Sequence, residues 1–283
     1  MIRKETCRNN QRLNRTSQSR TKAWKSSERS DGIKHRPAPP QHVDPCDGIL
    51  LVNKQSGPTS HDVVSRIRKR FSFKKVGHGG TLDPQATGLL VILIGRGTKL
   101  SSLFIGSDKT YEGTMRLGIS TDTHDAQGNV LRESDCSFVT REQLEAEMKK
   151  LTGDILQTPP MVSAVKIDGV PLYKRARKGQ IVERKPRLIH IYEFRLIDFS
   201  LPVATFRIKC TKGTYVRTLC ADIGEALGCG AHLEQLCRTR SGDFELENAL
   251  RMEEILSLDR DELISKIIPL YKICPHGMTN TQQ

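Results

Sequence analysis

Several patterns that identify common classes of protein are missing from this sequence. The eight cysteines are scattered and include no C-x-x-C pair, which disfavours both a zinc site and a disulfide framework. They are typical of free thiols in a reducing compartment. No apolar run approaches the roughly 20 residues of a membrane span, and the amino terminus lacks the apolar centre of a secretory signal. These absences predict a soluble protein that needs neither a membrane nor a metal.

The first 46 residues are polar, basic and contain proline. Such a segment cannot bury enough apolar surface to fold alone, so residues 1–46 are predicted to form a disordered tail. The tail is rich in Arg and Ser, as organellar transit peptides are, but has almost no apolar residues from which to build an amphipathic face. We therefore expect a cytoplasmic protein, with organellar targeting as the less favoured alternative.

Positive charge is plentiful and concentrated. The 283 residues include 45 Lys and Arg against 32 Asp and Glu, a net charge of +13. Residues 1–46 contribute +7 and residues 166–187 contribute +6, so the remainder of the chain is neutral in sum. An excess of this size and placement predicts a polyanionic partner such as a nucleic acid.

The glycine-rich stretches do not match known nucleotide-binding loops. Residues 77–88 lack the G-x-G-x-x-G spacing, and residues 97–99 invert the Gly-Lys-Ser/Thr order of a phosphate loop. Residues 122–129 resemble a calcium loop only superficially, because the ligand spacing is wrong and no Glu closes it. We interpret them as a hairpin turn capped by Asp122 and Asp125, and we expect no cofactor.

Apolar runs and helical patterns follow one another without a strict βαβ repeat, which predicts an α+β fold. Strands are predicted at residues 49–52, 89–94, 110–117, 188–199 and 203–210. Helices are predicted from an N-cap at Ser60, at 99–104, at 140–151 with a Thr140/Gln143 capping box, through Leu219 to Leu227, and once or twice within 252–270.

The stretch that most favours chemistry is GHGGTLDPQATG, residues 77–88. Asp83 precedes a proline, and by composition alone it is more typical of a turn than of a catalytic site. Gly79 and Gly80 would allow a ligand to approach closely, and the apolar run 89–94 would hold the loop on a sheet. A single accessible carboxylate on a rigid loop can act as a nucleophile.

The longer stretch VGHGGTLDPQATGLLVILIGRGTKL resembles the catalytic motif of the TruB family of pseudouridine synthases. Further blocks resemble the family in the same order and extend the similarity to about residues 48–240. These blocks read LVNKQSGPTSHDVV, DKTYEGTMRLGISTDTHDAQG, TGDILQTPPMVSAVKIDGVPLYKRARKG and KCTKGTYVRTLCADIGEALGCGAHLEQLCRT. The resemblance implies a pseudouridine synthase fold, with a mixed, mainly antiparallel sheet flanked by helices and an RNA-binding insertion.

The resemblance also implies a cofactor-free isomerisation with three catalytic residues. Asp83 matches the family's essential aspartate, which attacks the uridine at C6 of the base or at C1′ of the ribose, and the sequence does not choose between them. Tyr111 matches a tyrosine that packs against the target base and is implicated in removing the C5 proton. Arg217 matches the arginine that pairs with the catalytic aspartate and would keep it ionised.

The resemblance further implies contacts with the RNA substrate, at residues that run from Lys54 to Tyr215. Among them, Lys99 is matched with less weight than Lys54. Tyr215 alternates with Val216 and Arg217 in a strand-like run, so it fits a core position equally well. The basic run of the insertion also fits a solvated helix face, but Tyr173 interleaved among its cations favours phosphate contact. The predicted substrate-binding residues are His78, Lys54, Lys99, Tyr215, Tyr173, Lys174 and Arg177.

The domain organisation predicted in this way has three parts. They are the tail 1–46, a catalytic domain 47–250 with its insertion at about 153–187, and a short helical segment 251–283 in place of a PUA domain. We expect a stand-alone monomer, with no obligate protein partner and no guide RNA, that acts on uridine 55 in the T arm of tRNA. An RNA-binding protein or chaperone without catalysis, and a wider range of RNA substrates, remain open alternatives.

Overall fold

The computed structural model describes residues 44–273 except 164, 177 and 181. Arg177, predicted to bind substrate, and residues 1–43 of the predicted tail therefore lie outside the described residues. Within the described range, no helix is both long enough and apolar enough to cross a membrane.

The described residues form fifteen strands, eight α-helices and two 3-10 turns. The strands are β1 (Gly48–Lys54), β2 (Val76–His78), β3 (Thr87–Ile94), β4 (Lys109–Leu117), β5 (Ile119–Thr121), β6 (Val130–Glu133), β7 (Gly153–Gln157), β8 (Lys166–Ile167), β9 (Val170–Pro171), β10 (Arg187–Ser200), β11 (Val203–Cys210), β12 (Ala231–Ser241), β13 (Phe244–Glu245), β14 (Leu250–Arg251) and β15 (Ile268–Pro269). The helices are α1 (Ser60–Arg70), α2 (Ser101–Gly106), α3 (Arg141–Lys150), α4 (Leu172–Ala176), α5 (Val216–Ala226), α6 (Met252–Ser257), α7 (Arg260–Lys266) and α8 (Leu270–Ile273). The 3-10 turns are Gly95–Leu100 and Leu246–Asn248.

Eleven of the strands form one mixed sheet. Its main order is β14-β1-β3-β12-β4-β11-β10-β7, with β2 beside β3, β13 beside β12 and β15 beside β1. Only the β1–β14 and β3–β12 pairs are parallel, and the other pairs of this sheet are antiparallel. The α+β prediction and the mainly antiparallel sheet are therefore confirmed.

Strands β1 and β3 are buried on both faces, which explains their uninterrupted apolar sequences. On one face, Leu50 and Ile92 share a core with α1, α6 and α7. On the other, Ile49 and Val91 pack around Phe104 of α2. The other half of the sheet, β4 with β10 to β12, carries a second core against α3 and α5. Strands covered on both sides need no polar alternation.

The predicted strands and helices are present with small shifts, and two local details differ. The predicted N-cap at Ser60 is wrong: Thr59 caps α1 through a capping box with Asp62, and Ser60 is the first helical residue. Tyr215 does not lie in a strand but is the residue before α5. The Thr140/Gln143 capping box of α3 is confirmed.

The segment after residue 250 contains the predicted helices, α6 and α7, but also adds strands to the sheet. β14 runs parallel to β1 at Val52, and β15 runs antiparallel to β1 at Gly48. Ile255 and Leu263 are completely buried in the core beneath α1. This segment therefore supports the strand and helix that precede the loop of Asp83.

The insertion leaves the sheet at its far edge, between β7 and β10. These two strands pair from Gln157 and Arg187 down to Gly153 and Ile191. Between them lie the β8–β9 hairpin and the short helix α4. Most basic side chains of its described residues are exposed, so the insertion presents a cationic surface at this edge of the sheet.

Candidate active site

Asp83 lies on the loop of residues 79–86 that joins β2 to β3, which we call the Asp83 loop. The hydroxyl of Ser60 accepts a hydrogen bond from the Leu82 N–H (2.9 Å) and donates one to the Leu82 carbonyl (3.1 Å). The N–H of Gly57 donates to the carbonyl of Pro84 at 2.9 Å. The amino end of α1 and the turn before it therefore fix the loop on both sides of Asp83.

Lys54, at the end of β1, holds the same loop from beneath. Its side chain is completely buried, and its ammonium donates to the carbonyls of Gln55 (3.0 Å), Pro84 (2.8 Å) and Ala86 (2.7 Å). Burial lowers the pKa of Lys54 to about 8, an effect that the nearby Asp83 carboxylate partly opposes. All three ammonium protons point into the protein, so Lys54 positions the loop, which differs from the predicted contact with substrate.

Arg238 of β12 is a second buried cation under the Asp83 loop, and the sequence analysis did not identify it. Its guanidinium donates to the carbonyls of Leu89 (2.7 Å), Thr81 (3.3 Å) and Gly80 (3.2 Å). Only 1% of its surface is exposed. Because a buried guanidinium must have its protons accepted, these carbonyls fix the entry of the loop relative to the central strand.

Lys109, at the start of β4, is the third buried cation in this region. Its ammonium donates to the carbonyls of Phe104 (2.7 Å), Ile105 (3.1 Å) and Ser107 (2.6 Å). These are groups at the carboxyl end of α2, where a cation is favoured. Burial, with a smaller effect from the charge of Arg238, lowers the pKa of Lys109 to about 8.

The glycines of the motif serve internal packing. A Cβ on Gly79 would lie 2.5 Å from Cβ of Phe104, and one on Gly88 would lie 2.4 Å from the Arg238 carbonyl oxygen. Gly80 has φ of +145°, a conformation that disfavours other residues. We expected Gly79 and Gly80 to leave room for a ligand. Gly79 instead lets the loop approach α2, and Gly80 lies over Arg238 and Lys109.

Asp83 is paired with Arg217, as the family resemblance implied. Its carboxylate lies 3.6 Å from Nη2 of Arg217, and the Asp83 side chain is 55% exposed whereas that of Arg217 is 6% exposed. Nη1 of the same guanidinium bonds Asp125 at 3.0 Å, and Nη2 also donates to the carbonyl of Val162. One buried arginine therefore joins the accessible carboxylate to a second carboxylate and to the base of the insertion.

Asp125 comes from the turn between β5 and β6, where the predicted hairpin is confirmed. Its other carboxylate oxygen accepts from Thr123 Oγ1 (2.7 Å) and the Gln127 N–H (3.0 Å), while Asp122 accepts from the N–H of Asn129 (2.9 Å). The capping roles predicted for both aspartates are therefore present. The bond from Asp125 to Arg217 was missed, because a turn aspartate gives no sequence signal of its distant partner.

The start of α5 is anchored to the edge strand β7. The buried side chain of Gln157 accepts from the Tyr215 N–H (2.8 Å) and donates to the Tyr215 carbonyl (3.0 Å). The ring of Tyr215 lies 6.0 Å from the guanidinium carbon of Arg217. Tyr215 therefore sits beside the arginine that pairs with Asp83, and Gln157 determines where α5 begins.

Tyr111 and His78 lie on neighbouring parts of the sheet. Tyr111 of β4 is half-buried and faces Arg238 across the β4–β12 pair. Burial raises the pKa of Tyr111, and Arg238 partly opposes this effect. Burial lowers the pKa of His78, as does the nearby charge of Arg238. At neutral pH, therefore, Tyr111 is a phenol and His78 is uncharged.

The other predicted residues are spread along the surface. Lys99 is exposed on the 3-10 turn after β3 and makes no hydrogen bond or ion pair within the described residues. Tyr173 and Lys174 lie on α4 of the insertion, where Lys174 is exposed and Tyr173 is half-buried. Across the described part of the chain, no group of three or more His, Cys, Asp or Glu side chains is placed to hold a metal.

The mixed sheet that carries this site is similar to the folds of solved structures. The structure is similar to a chain of a Cbf5-Nop10-Gar1 complex, with a TM-score of 0.64 and 29% identity over 82% of this chain. The present chain covers 63% of that chain, less than two thirds of its length. This similarity assigns the fold to the class of pseudouridine synthases.

Two family models narrow the class. Residues 68–216 match the N-terminal domain of the TruB family pseudouridylate synthases, and residues 217–271 match the C-terminal domain of tRNA pseudouridylate synthase B. The chain is 50% identical to tRNA pseudouridine synthase B of Opitutus terrae, over 81% of this chain and 95% of the relative. It is 46% identical to the enzyme of the same name from Francisella philomiragia, over 78% and 74% of the two chains. The chain belongs to the TruB family of pseudouridylate synthases.

Proposed function

We propose that this protein isomerises uridine 55 in the T loop of tRNA to pseudouridine, with Asp83 as the nucleophile. The observation that carries the proposal is the pairing of an exposed Asp83 carboxylate with a buried Arg217. A carboxylate that is open to solvent on one side and held by a guanidinium on the other is oriented and ready to attack. The relatives from Opitutus and Francisella are named as tRNA enzymes, which supports the choice of substrate.

The reaction exchanges one bond of the uridine for another. Asp83 attacks C6 of the base or C1′ of the ribose, the N1–C1′ bond breaks, the uracil turns, C5 bonds to C1′, and the bond to Asp83 breaks again so that the carboxylate is regenerated. The proton on C5 then leaves and N1 takes up a proton, so the product has the same composition as the substrate. Neither route needs an oxidant, a reductant or a second substrate.

Tyr111 packs against the extruded base and takes part in removing the C5 proton in this mechanism. Its raised pKa keeps the hydroxyl protonated at neutral pH, so it must pass on its own proton if it accepts the one from C5. Arg238, which lies across the strand pair from Tyr111, provides positive charge that favours the phenolate at that moment.

The target uridine must leave the loop of the RNA to reach Asp83, which costs roughly a few kcal/mol of stacking. Contacts with the phosphates offset that cost. We assign them to the insertion, where Tyr173, Lys174 and Arg177 belong to the basic run, to Lys99 on the turn after β3, and to Tyr215 beside Arg217. His78, uncharged at neutral pH, contacts the RNA that the flipped uridine has left.

We further propose that the protein works alone, as a cytoplasmic monomer without a guide RNA or a protein partner. The test is chemical mapping of pseudouridine in unmodified tRNA incubated with the purified protein and with its Asp83→Asn variant. We expect complete conversion of the T-loop uridine by the wild type and none by D83N. Because Asp83 is exposed, D83N should fold normally.

Asp261→Asn provides the matched control, since Asp261 is an exposed residue of α7 and the variant loses the same charge. D261N should modify tRNA at the wild-type rate. Equal modification by D83N would show that another group is the nucleophile. An unmodified T loop with wild-type protein would contradict the proposed substrate, and binding without any conversion would favour an RNA chaperone.

A further inference from the structure

A further cationic surface, besides the basic insertion, lies around α1. Residues 60–75 hold six basic residues and one acidic residue, a net charge of +5, which acidic residues elsewhere conceal in the sum over the chain. All six are exposed on α1 and the turn that follows it, and five of them, all except Arg70, have side chains that make no hydrogen bond or salt bridge within the described residues. We call them the α1 basic surface: Arg66, Arg68, Lys69, Lys74 and Lys75.

The basic side chains of α1 form no salt bridge with acidic residues of the described chain. No salt bridge involves Arg66, Arg68 or Lys69 among the described residues. The one acid of α1, Asp62, bonds the N–H and the hydroxyl of Thr59 as part of the capping box. The bases of α3, in contrast, are paired, Arg141 with Glu145 at 3.0 Å and Lys150 with Glu147 at 2.7 Å.

Helix stability explains only part of this charge. Bases in the last turn of a helix interact favourably with its dipole, which accounts for Arg68 and Lys69. Arg66 precedes that turn, and Lys74 and Lys75 follow the helix. Arg70 has a separate structural role, because it donates to the carbonyls of Leu256 (3.2 Å) and Leu258 (2.9 Å). None of the remaining cations forms a salt bridge or a side-chain hydrogen bond within the described residues, although Asp62 attracts Arg66 and Asp44 attracts Lys74 at longer range.

The position of α1 relates these cations to the active site. The helix begins at Ser60, whose hydroxyl bonds the residue before Asp83. At 1.5 Å per residue, Arg66 lies about 9 Å and Lys69 about 13 Å along the axis from Ser60. A nucleotide at Asp83 is too far away to touch them, but the stem of the same RNA hairpin is within reach.

The α1 basic surface is also well separated from the insertion. α1 packs against β1 and β3, whereas the insertion leaves from β7. In the order of the sheet, six strand spacings separate β1 from β7, which at about 4.8 Å each is roughly 29 Å. The Asp83 loop, which joins β2 to β3, lies on the α1 side of this span.

We propose that the α1 basic surface is a second RNA-binding surface, which holds the phosphate backbone of the stem while the insertion holds the loop. The inference rests on the proposed function, because it takes the substrate to be a hairpin of RNA. Exposed, unpaired Lys and Arg are suited to this task, since phosphate contacts position a nucleic acid without reading its sequence. Two separated surfaces would orient the hairpin so that one loop nucleotide faces Asp83.

The test compares two double variants of equal charge. R66E/K69E reverses two exposed cations of α1, and K149E/K150E reverses two exposed cations in the last turn of α3. Each reverses two exposed bases of one helix; Arg66 lies before the last turn of α1, and K150E also loses the pair with Glu147, so far-UV circular dichroism of both variants checks that the helices remain. Binding of unmodified T-arm RNA is measured by fluorescence anisotropy from 50 to 200 mM salt, with a full stem and with a shortened stem.

For R66E/K69E with the full stem, we expect Kd to rise at least about fivefold and the slope of log Kd against log salt to fall by about 1.5 to 2, the loss of two phosphate contacts. With the shortened stem, R66E/K69E should bind like K149E/K150E. Pseudouridine formation at saturating RNA should be unchanged in both variants. If R66E/K69E does not fold, R66Q/K69Q replaces it, with a smaller rise in Kd.

Equal Kd values and equal slopes for the two variants on the full stem would overturn the proposal. A slower reaction at saturating RNA would also overturn it, because the residues would then act in chemistry or in folding. The proposed function fails separately, if the wild type leaves the T-loop uridine unchanged. A stem-dependent loss of binding would in that case still identify the surface.

Discussion

At the scale of single residues, the site is organised by buried cations around one exposed carboxylate. Arg217 reaches Asp83, Asp125 and the carbonyl of Val162, while Lys54 and Arg238 bind carbonyls of the loop. A buried cation is costly unless each proton has an acceptor. The backbone carbonyls that accept these protons are therefore held in place, and these hydrogen bonds make the loop rigid.

The pKa of Lys109 gives a prediction about stability. In the folded state it is lowered to about 8 from 10.5, so between pH 8 and 10.5 the unfolded chain binds more protons than the folded one. The contribution of this residue to the free energy of unfolding must then rise with pH across that window. Compared with Lys109→Met, the wild type should gain up to about 3 kcal/mol between pH 7.5 and 10.5.

Urea denaturation of both proteins at the two pH values measures this difference. The raised pKa values of Tyr111 and Cys220 act in the opposite direction in wild type and variant alike, so they cancel in the comparison. Lys149→Met, at an exposed position, is the control and should show no such gain. A gap between wild type and K109M that stays constant with pH would mean that Lys109 is not desolvated.

At the scale of the elements, the Asp83 loop depends on the close approach of β2, β3, α2 and β12. Gly79 and Gly88 allow that approach, because a Cβ at either position would fall within 2.5 Å of a neighbouring atom. The loop is thus positioned by its neighbours as much as by its own turn. Changes far from Asp83 in sequence, at Phe104 or Arg238, are therefore expected to move Asp83 through the loop that they support.

Gly79→Ala should therefore be destabilising and inactivating, whereas the nearby Gly77→Ala should be tolerated. A Cβ on Gly79 would meet Cβ of Phe104 at 2.5 Å, but one on Gly77 would meet nothing closer than Thr98 Cγ2 at 3.7 Å. We expect G79A to lose about 1 to 3 kcal/mol of stability through overpacking and to reduce kcat at least about tenfold. Thermal unfolding and single-turnover pseudouridine formation test this. Wild-type values for G79A would show that α2 is free to move away.

At the scale of the whole molecule, a single large sheet carries both the catalytic loop and the insertion. The segment after residue 250 completes this sheet at one edge, through β14 and β15 beside β1. Its helices close the core under α1. The last helices of the described chain and the strands and helix that hold the Asp83 loop therefore share one hydrophobic core.

This packing predicts that a change in the last helices weakens the whole catalytic domain. Leu263 of α7 is completely buried, so Leu263→Ala should cost about 2 to 5 kcal/mol of the free energy of unfolding. The control is Leu103→Ala, since Leu103 of α2 is 56% exposed; it should change stability by less than about 0.5 kcal/mol. Urea unfolding followed by circular dichroism measures both. If L263A were as stable as L103A, the segment would be an appendage rather than part of the core.

The sequence by itself determined the fold class, most strands and helices, and the motif of Asp83. Apolar runs such as 89–94 and the Thr140/Gln143 box are local signals, because burial on both faces and helix capping each depend on adjacent residues. The family resemblance added Tyr111 and Arg217 to the predicted catalytic residues. It could do so because the family's motifs include residues that contact one another although they lie far apart in the sequence.

Only the tertiary structure decided which residues hold the site together. Arg238 and Lys109 look like ordinary strand cations, Asp125 looks like a turn aspartate, and Gln157 looks like the end of an edge strand. Arg238, Asp125 and Gln157 bond partners that are 149, 92 and 58 residues away, in Leu89, Arg217 and Tyr215. Lys109 bonds carbonyls nearby in sequence, but its burial comes from the packing of the sheet. Contacts of that kind leave no local pattern, because burial and the partner of a polar group are properties of the packed chain.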